Sequence, residues 1–342
     1  MVFADCLHAL MTKQPLSGPD MQRLMGQVMS GELSGAQIGA LLVALRVKGE
    51  TVTEISAAAQ VLREHATPLK IKDNTHLVDT CGTGGDGANT FNVSTASALV
   101  VAAAGGKVAK HGNRSVSSRS GSADVLELAG VNLDLTPDQV VACIEQIGFG
   151  FLFAPKYHQA LRHVAQVRRE LGVRTLFNLL APMANPAGAR RQLIGVYGRK
   201  WLKPVAEALQ QLGSEHVLVV HAEDGLDEIS IAASTQVAEL RHGHINTYSI
   251  TPSQFGISKG ALSELAVENA ADSLALLRKA LAGETGPWLD IVALNAGAAI
   301  YVAGLSDNLA SGIRTASHIL DQGQALRKLQ DLITFSQSFS PS

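Results

Sequence analysis

The sequence predicts an α/β protein: a small helical domain joined to a large α/β domain with a central, mostly parallel sheet. Two observations carry that prediction. Over the first 66 residues apolar side chains recur at helical spacing, one helix after another. From Leu77 onward short apolar runs alternate with helical stretches, as in strand–helix units of a parallel sheet. The length of 342 residues accommodates about two such domains.

The elements follow in order. Pro19 stands in a first helical turn, ahead of Met21, Leu24, Met25 and Val28 on one face. Ser34 is placed to cap a second helix that buries Ile38, Leu41, Leu42 and Leu45, and Gly49 ends it. Thr53 is expected to open the next helix, with Ile55, Ala58, Ala59 and Leu62 inward. Pro68 and the polar run 70–76 read as a linker. Strands are expected at 77–80, 108–110, 151–154, 193–197 and 217–221. Helices are expected at 95–104 and 136–148, the latter with Thr136 as cap and Pro137 first. Another begins near Tyr157. Runs at 237–240 and 245–250 flank His242-Gly243-His244 and predict an antiparallel hairpin. The chain closes in helices near 268–283, 288–304, 306–322 and 324–336.

Composition excludes several classes. A net charge of −2 with 4% aromatics offers neither an electrostatic stripe nor a stacking platform for nucleic acid. Three unpatterned cysteines read as reduced thiols rather than a disulfide framework. Asp5 stands where a signal peptide would carry positive charge, and no apolar run reaches the ~18 residues of a membrane span. A cytoplasmic protein is expected. Charged residues make up 17%, below the usual ~25%, which suggests a surface partly covered by another subunit.

Four segments carry chemistry. Asp79-Thr80-Cys81 runs into Gly82, Gly84, Gly85, Asp86 and Gly87, then Asn92-Val93-Ser94-Thr95 opens a helix. Glycines let backbone approach a ligand, and a helix N-terminus favours anions, so a phosphate or diphosphate fits better than a plain tight turn. The same glycines satisfy G-x-G-x-x-G, but the neighbourhood ~20 residues on is basic, Lys107 to His111, where a dinucleotide site wants an acid. No Gly-Lys-Ser/Thr closes a Walker loop. The second segment sets Lys110, Arg114 and Arg119 among Asn113, Ser115, Ser117, Ser118, Ser120 and Ser122, a polyanion-binding composition at a strand end. The third is Asp227-Glu228, a pair of hard oxygen ligands suited to Mg²⁺, which gains weight only beside a diphosphate site. The fourth is Arg168-Arg169, either of which could grip a carboxylate; spacing does not rank them. The eleven histidines are scattered and read as structural.

Gly-Thr-Gly-Gly-Asp at 82–86, Asn-Val-Ser-Thr at 92–95, Lys-His-Gly-Asn-Arg at 110–114 and Ala-Pro-Met-Ala-Asn-Pro-Ala at 181–187 resemble the anthranilate phosphoribosyltransferase family. The resemblance runs to about residue 330. It implies a nucleoside phosphorylase-like fold. The small domain would take residues 1–68 plus about 165–190, the large domain 69–164 plus 191–342, and a homodimer would form through the small domains. The implied substrates are 5-phosphoribosyl 1-diphosphate and anthranilate, in the second step of tryptophan biosynthesis. The first would be held by Gly82, Gly85, Asp86, Thr90, Asn92, Val93, Ser94, Thr95, Lys110, His111, Gly112, Asn113, Arg114, Ser115, Val116, Ser117, Ser118 and Ser122. Anthranilate would meet Gly82, Asn113 and Arg168. Ser94, Asp227 and Glu228 would ligate two Mg²⁺ ions. Lys110 would act electrostatically, with no nucleophile or general base. A pyrimidine nucleoside phosphorylase would carry Lys-His-Ser where this chain has Asp79-Thr80-Cys81.

Overall fold

The computed structural model describes residues 2–115 and 119–339. It opens with α1 (Phe3–Met11), α2 (Gly18–Ser30), α3 (Gly35–Lys48) and α4 (Val52–Glu64). Ser17 and Ser34 cap α2 and α3 through their hydroxyls, and Gln37 returns a hydrogen bond to the Ser34 N–H at 2.9 Å. The expected start at Thr53 is corrected to Thr51. Thr51 Oγ1 accepts the Glu54 N–H at 3.3 Å, while Glu54 Oε2 accepts the Thr51 N–H at 2.8 Å. This reciprocal box needs an acid three residues after the cap, which Thr51 has and Thr53 lacks. Glu54 is buried and also receives Lys48 Nζ at 2.8 Å and the Leu16 N–H at 2.9 Å, so its charge is fully compensated.

The second part of the chain runs β1 (Leu77–Gly82), α5 (Val93–Ala103), β2 (Lys107–Gly112), α6 (Ser122–Ala129), α7 (Pro137–Ile147) and β3 (Phe149–Phe153). Then come α8 (Ala154–Tyr157), α9 (Arg162–Leu171), α10 (Leu176–Met183), β4 (Arg191–Gly195), α11 (Leu202–Gln211) and β5 (His216–Ala222). A hairpin, β6 (Thr235–Arg241) and β7 (His244–Ile250), precedes α12 (Ala270–Leu281), α13 (Pro287–Val302), α14 (Leu309–Asp321) and α15 (Gln324–Gln337). The single helix expected near Tyr157 is interrupted: α8 stops at Tyr157, His158 leaves helical geometry at φ −118° and ψ 58°, and α9 starts afresh at Arg162.

The seven strands form one sheet in the order β3-β2-β1-β4-β5-β6-β7. The first five run parallel, and β6 and β7 pair antiparallel as expected. Alternation along the strands feeds two cores. Leu193, Leu218 and Val220 join α5, α13 and α14 on one face. Ile194, Val217 and Val219 point the other way, into a core shared with α1–α4, α9, α10 and α11. Covering both faces is what a parallel sheet requires. Helices α9 and α10 pack on the N-terminal bundle, α9 against α2 and α3, α10 against α3 and α4. Among the described residues no helix is long and apolar enough to cross a membrane.

Candidate active site

Loops at the carboxyl ends of β1, β2, β4 and β5 meet on one edge of the sheet, where ligands of parallel sheets bind. β1 and β4 end in Gly82 and Gly195 because Asp227 passes directly over both; a Cβ at either position would overlap it. Asp227 Oδ2 accepts the Gly84 N–H at 2.7 Å, and its own N–H reaches Asp86 Oδ2 at 3.4 Å. Asp86 Oδ1 accepts the Ala88 N–H at 3.1 Å. Asp86, Asp227 and Glu228 thus face one another across the glycine-rich loop. Burial and the Asp86 charge raise the Asp227 carboxyl, while burial and the Asp227 charge raise Glu228. Lys110 and the Ser94 N–H work in the opposite sense on Glu228.

Lys110, within β2, is 2% exposed. Its Nζ donates to Thr80 O at 2.6 Å and Ser94 Oγ at 3.2 Å. Burial pulls its ammonium down, and Asp79 and Glu228 oppose that. Asp79 is itself buried, accepting the His111 N–H at 3.2 Å and Asn185 Nδ2 at 2.8 Å. Asn185, from the 181–187 motif, also donates to Ala109 O at 2.8 Å, so that motif braces the strands beneath the loops.

The expected cation cluster divides. Arg114 is bidentate on Glu127 at 2.7 and 2.9 Å and reaches Asp124 at 3.1 Å. Arg119 pairs with Glu268 at 2.7 Å. Both are committed to neighbouring acids, so Lys110 alone of the three lies buried at the strand edge. The expected helix N-terminus is also occupied. Asn92 stands at the cap position of α5 without capping it. The Val93 N–H goes to Phe91 O, the Thr95 N–H to Asn92 O, and the Ser94 N–H to Glu228. The Thr95 hydroxyl is buried without a partner.

The rest of the predicted set lies on the same two loops. Thr90 bridges to Ala266, and the Phe91 N–H reaches Leu265 O at 2.9 Å, fixing the exit of the first loop. Gly85 O receives the Arg174 guanidinium, which stacks 4.5 Å from the Tyr197 ring centre. Gly112 has no room for a side chain beside Ser122 and Phe151. Asn113 O accepts the Ala123 N–H at 3.2 Å and Ser122 Oγ at 3.4 Å, and the Ser115 N–H reaches Asp124 Oδ2 at 3.0 Å. Val116, Ser117 and Ser118 lie outside the described residues.

Structure separates the two arginines. Arg168 is half-buried over the Phe177 ring at 5.4 Å, with no carboxylate partner among the described residues, and burial lowers its guanidinium. Arg169 is exposed. His111, with Nδ1 near Ala181 O at 3.2 Å, packs against His158 with ring centres 5.0 Å apart and planes inclined by 55°. The Nε2 of each is buried and unpartnered. Burial and His158 push His111 down to about 3, and burial lowers His158 as well. Sequence reasoning gave no role to His158, Arg174, Asn185 or Asp79. Asp79 and Asn185 had a signal, since both stand in sequence motifs, the lead-in to the glycine loop and the 181–187 stretch.

For a cation the donor set is hard oxygen: Asp227, Glu228 and the Ser94 hydroxyl. Among the described residues no three His, Cys, Asp or Glu side chains enclose a metal by themselves. Two carboxylates and a hydroxyl suit Mg²⁺, which binds one or two carboxylates and completes its shell with water and substrate phosphates.

Residues 4–66 match the helical bundle domain and residues 74–326 the a/b domain of a glycosyl transferase family. An anthranilate phosphoribosyltransferase of Methylococcus capsulatus is 58% identical over 342 residues, covering 100% of both chains. One from Thioalkalivibrio sulfidiphilus is 57% identical, covering 99% of this chain and 100% of the relative. The crystal structure of the Thermus thermophilus enzyme superposes with a TM-score of 0.92 at 44% identity, over 97% of this chain and 99% of the other. The Saccharomyces cerevisiae enzyme in complex with PRPP and Mg does so at 0.89 and 27% identity, over 98% of each. With both domains matched in order and full-length relatives above half identity, this chain belongs to the anthranilate phosphoribosyltransferase family.

Proposed function

We propose that this chain transfers the phosphoribosyl group of 5-phosphoribosyl 1-diphosphate to the amine of anthranilate, giving N-(5-phosphoribosyl)anthranilate and diphosphate. This is the second step of tryptophan biosynthesis from chorismate. The observation that carries the reading is the meeting, on one sheet edge, of buried Lys110, the Ser94 hydroxyl and the raised Asp227 and Glu228 carboxyls.

Breaking the bond from ribose C1 to diphosphate builds oxocarbenium-like charge on the sugar and negative charge on the leaving group. Lys110, fixed by Thr80 O and Ser94, supplies preorganised positive charge for the departing diphosphate. Gly82, Gly85, Asp86, Thr90 and Asn92, with the second loop from Lys110 to Ser122, hold the sugar and diphosphate. Arg114 acts there through α6, holding the loop rather than lending its charge. Ser94, Asp227 and Glu228 would hold Mg²⁺, two ions on this reading, directly or through water, and the metal would supply positive charge to the diphosphate oxygens. Arg168 takes the anthranilate carboxylate, with Asn113 and Gly82 orienting the ring. An aromatic amine is neutral at pH 7, so no side chain need serve as nucleophile or strong base.

The same reading divides the chain into a small unit, 1–68 with about 165–190, and a large unit, 69–164 with 191–342. The packing of α9 and α10 on α2–α4 supports it. It makes the protein a cytoplasmic homodimer joined through the small units. In support, α3 leaves Ala36, Ala40, Val43 and Val47 exposed on its outer side, Val47 at 72%. A helix that is apolar all round is covered on every side.

Protein, Mg²⁺, phosphoribosyl diphosphate and anthranilate, followed by anthranilate fluorescence, test the activity. The signal decays with stoichiometric diphosphate release. A steady signal at micromolar enzyme refutes the assignment.

A further inference from the structure

Asn92 makes an unusual use of its carboxamide. Its Oδ1 accepts two hydroxyl protons, from Ser273 at 2.7 Å and from Ser120 at 2.9 Å. Ser273 has no exposed surface in the first turn of α12, and its Oγ also accepts the Asn92 N–H at 3.0 Å. A hydroxyl carries a single proton. Because the Asn92 N–H donates to Ser273 Oγ, the Ser273 proton is directed to Oδ1. Asn oxygen and nitrogen are alike in shape, so the network decides which way the amide faces. Here two serines take the oxygen side. On the other side Nδ2 stands 3.5 Å from Ser120 O, at the outer limit of a hydrogen bond. Asn92 is half-buried where the glycine-rich loop meets α5, and among the described residues that long contact is the one its Nδ2 makes, which leaves its second N–H uncommitted.

We propose that Ser273, with Ser120, is a positioning residue that fixes the flip of the Asn92 carboxamide so that Nδ2–H, not Oδ1, faces the anionic phosphoribosyl substrate. The inference rests on the reading of Asn92 as a ligand of that substrate. In the reversed flip a carbonyl oxygen would meet the phosphate oxygens, and two hydroxyls would face an amide donor. The same bonds tie three elements together. Ser120 closes the second loop, Asn92 opens α5, and Ser273 belongs to α12, reinforced by Arg119 on Glu268 at 2.7 Å. This role lies outside the sequence motifs, because Ser273 is 181 positions from Asn92.

The test is a double-mutant cycle on the full-length enzyme. Ser273→Ala removes one buried oxygen and leaves the Asn269 cap of α12 intact. It raises the KM for phosphoribosyl diphosphate about tenfold, the scale of one charged-acceptor hydrogen bond, and leaves the anthranilate KM within about threefold. Asn92→Ala raises the same KM at least as far, and Ser273→Ala adds nothing in that background. Ser120→Ala carries the same cycle should Ser273→Ala fold poorly. Additive effects of Ser273→Ala and Asn92→Ala, or an inert Ser273→Ala beside a damaging Asn92→Ala, overturn the positioning role. If Asn92→Ala itself leaves the phosphoribosyl diphosphate KM unchanged, the reading of Asn92 as a ligand fails, and this inference falls with it.

Discussion

Two carboxylate clusters sit at opposite edges of the same sheet, and they are built on opposite principles. At the far edge Glu239 accepts His216 Nε2 at 3.0 Å, Tyr301 OH at 2.7 Å and Tyr248 OH at 2.9 Å, and Arg241 donates to Tyr301 OH at 2.8 Å. Burial would raise the Glu239 carboxyl, but these bonds overcome it and hold it at about 2. At the carboxyl edge Asp86, Asp227 and Glu228 crowd together, and burial with mutual repulsion raises Asp227 and Glu228. A structural acid is surrounded by donors. A site acid is left wanting a cation, at a cost in stability that the fold elsewhere must offset.

The largest effect separates the clusters outright. Asp227→Asn combined with Glu228→Gln abolishes Mg²⁺-dependent turnover, by at least ~10³-fold, since it removes the hard ligands. Without metal the variant melts no lower than wild type. The sign follows from the raised carboxyls: the native state holds these protons more tightly, so ionisation costs stability as pH rises, and the amides remove that cost. Differential scanning calorimetry at pH 8 in chelator, paired with turnover assays, checks both halves. Retained turnover would remove the metal role, and a lower melting point would make the pair structural like Glu239.

Next in size is the pair of adjacent arginines. Arg168→Ala raises the anthranilate KM by roughly 10- to 100-fold, the loss of a charged carboxylate contact, and leaves the phosphoribosyl diphosphate KM within about threefold. Arg169→Ala, exposed on the same helix, leaves both constants unchanged. Steady-state kinetics with each substrate varied distinguishes the outcomes, and equal effects on both substrates would break the assignment of Arg168.

What could be read in advance was local. Thr136, Pro137 and Gly148 delimit α7 because cap, first-turn proline and left-handed stop act within a few residues of the chain. The strand cores at 77–80, 108–110 and 217–221 carry their own burial pattern. Glycine density marked the ligand loop, since Gly82 must yield to Asp227. What escaped was pairing across distance. Arg114 looks like a free cation until Glu127 is brought beside it by α6. Arg168 and Arg169 are alike as letters and differ only in which one α9 turns toward Phe177. His158 gains meaning only by packing against His111, which lies in β2. The break between α8 and α9 carries no proline or glycine, and the residues at it, Tyr157 and His158, are both buried.

At the far edge Glu239→Gln costs about 2–3 kcal/mol, the range for hydrogen bonds to a charged acceptor in a partly buried network, and kcat/KM is unchanged. Urea unfolding at pH 7 with a parallel turnover assay measures this. A variant that lost turnover at full stability would tie this edge to catalysis and collapse the contrast.

The smallest expected effect is the pH signature of that same residue. Its carboxyl lies below the ordinary value of 4.5, at about 2, so its stabilisation is complete above pH ~4.5 and drains away as pH falls toward 2. Other paired acids, Asp73 on Lys107 among them, also titrate in this window, so the wild-type slope alone is ambiguous. The difference between wild type and Glu239→Gln isolates the one group. Urea midpoints taken from pH 6 down to pH 3 draw closer together without meeting, because below pH ~4.5 the unfolded carboxyl takes up its proton while the native Glu239 is still ionised, and the charge advantage shrinks accordingly. A gap that stayed constant over the range would mean that the glutamine is harmful through its amide rather than through the missing charge.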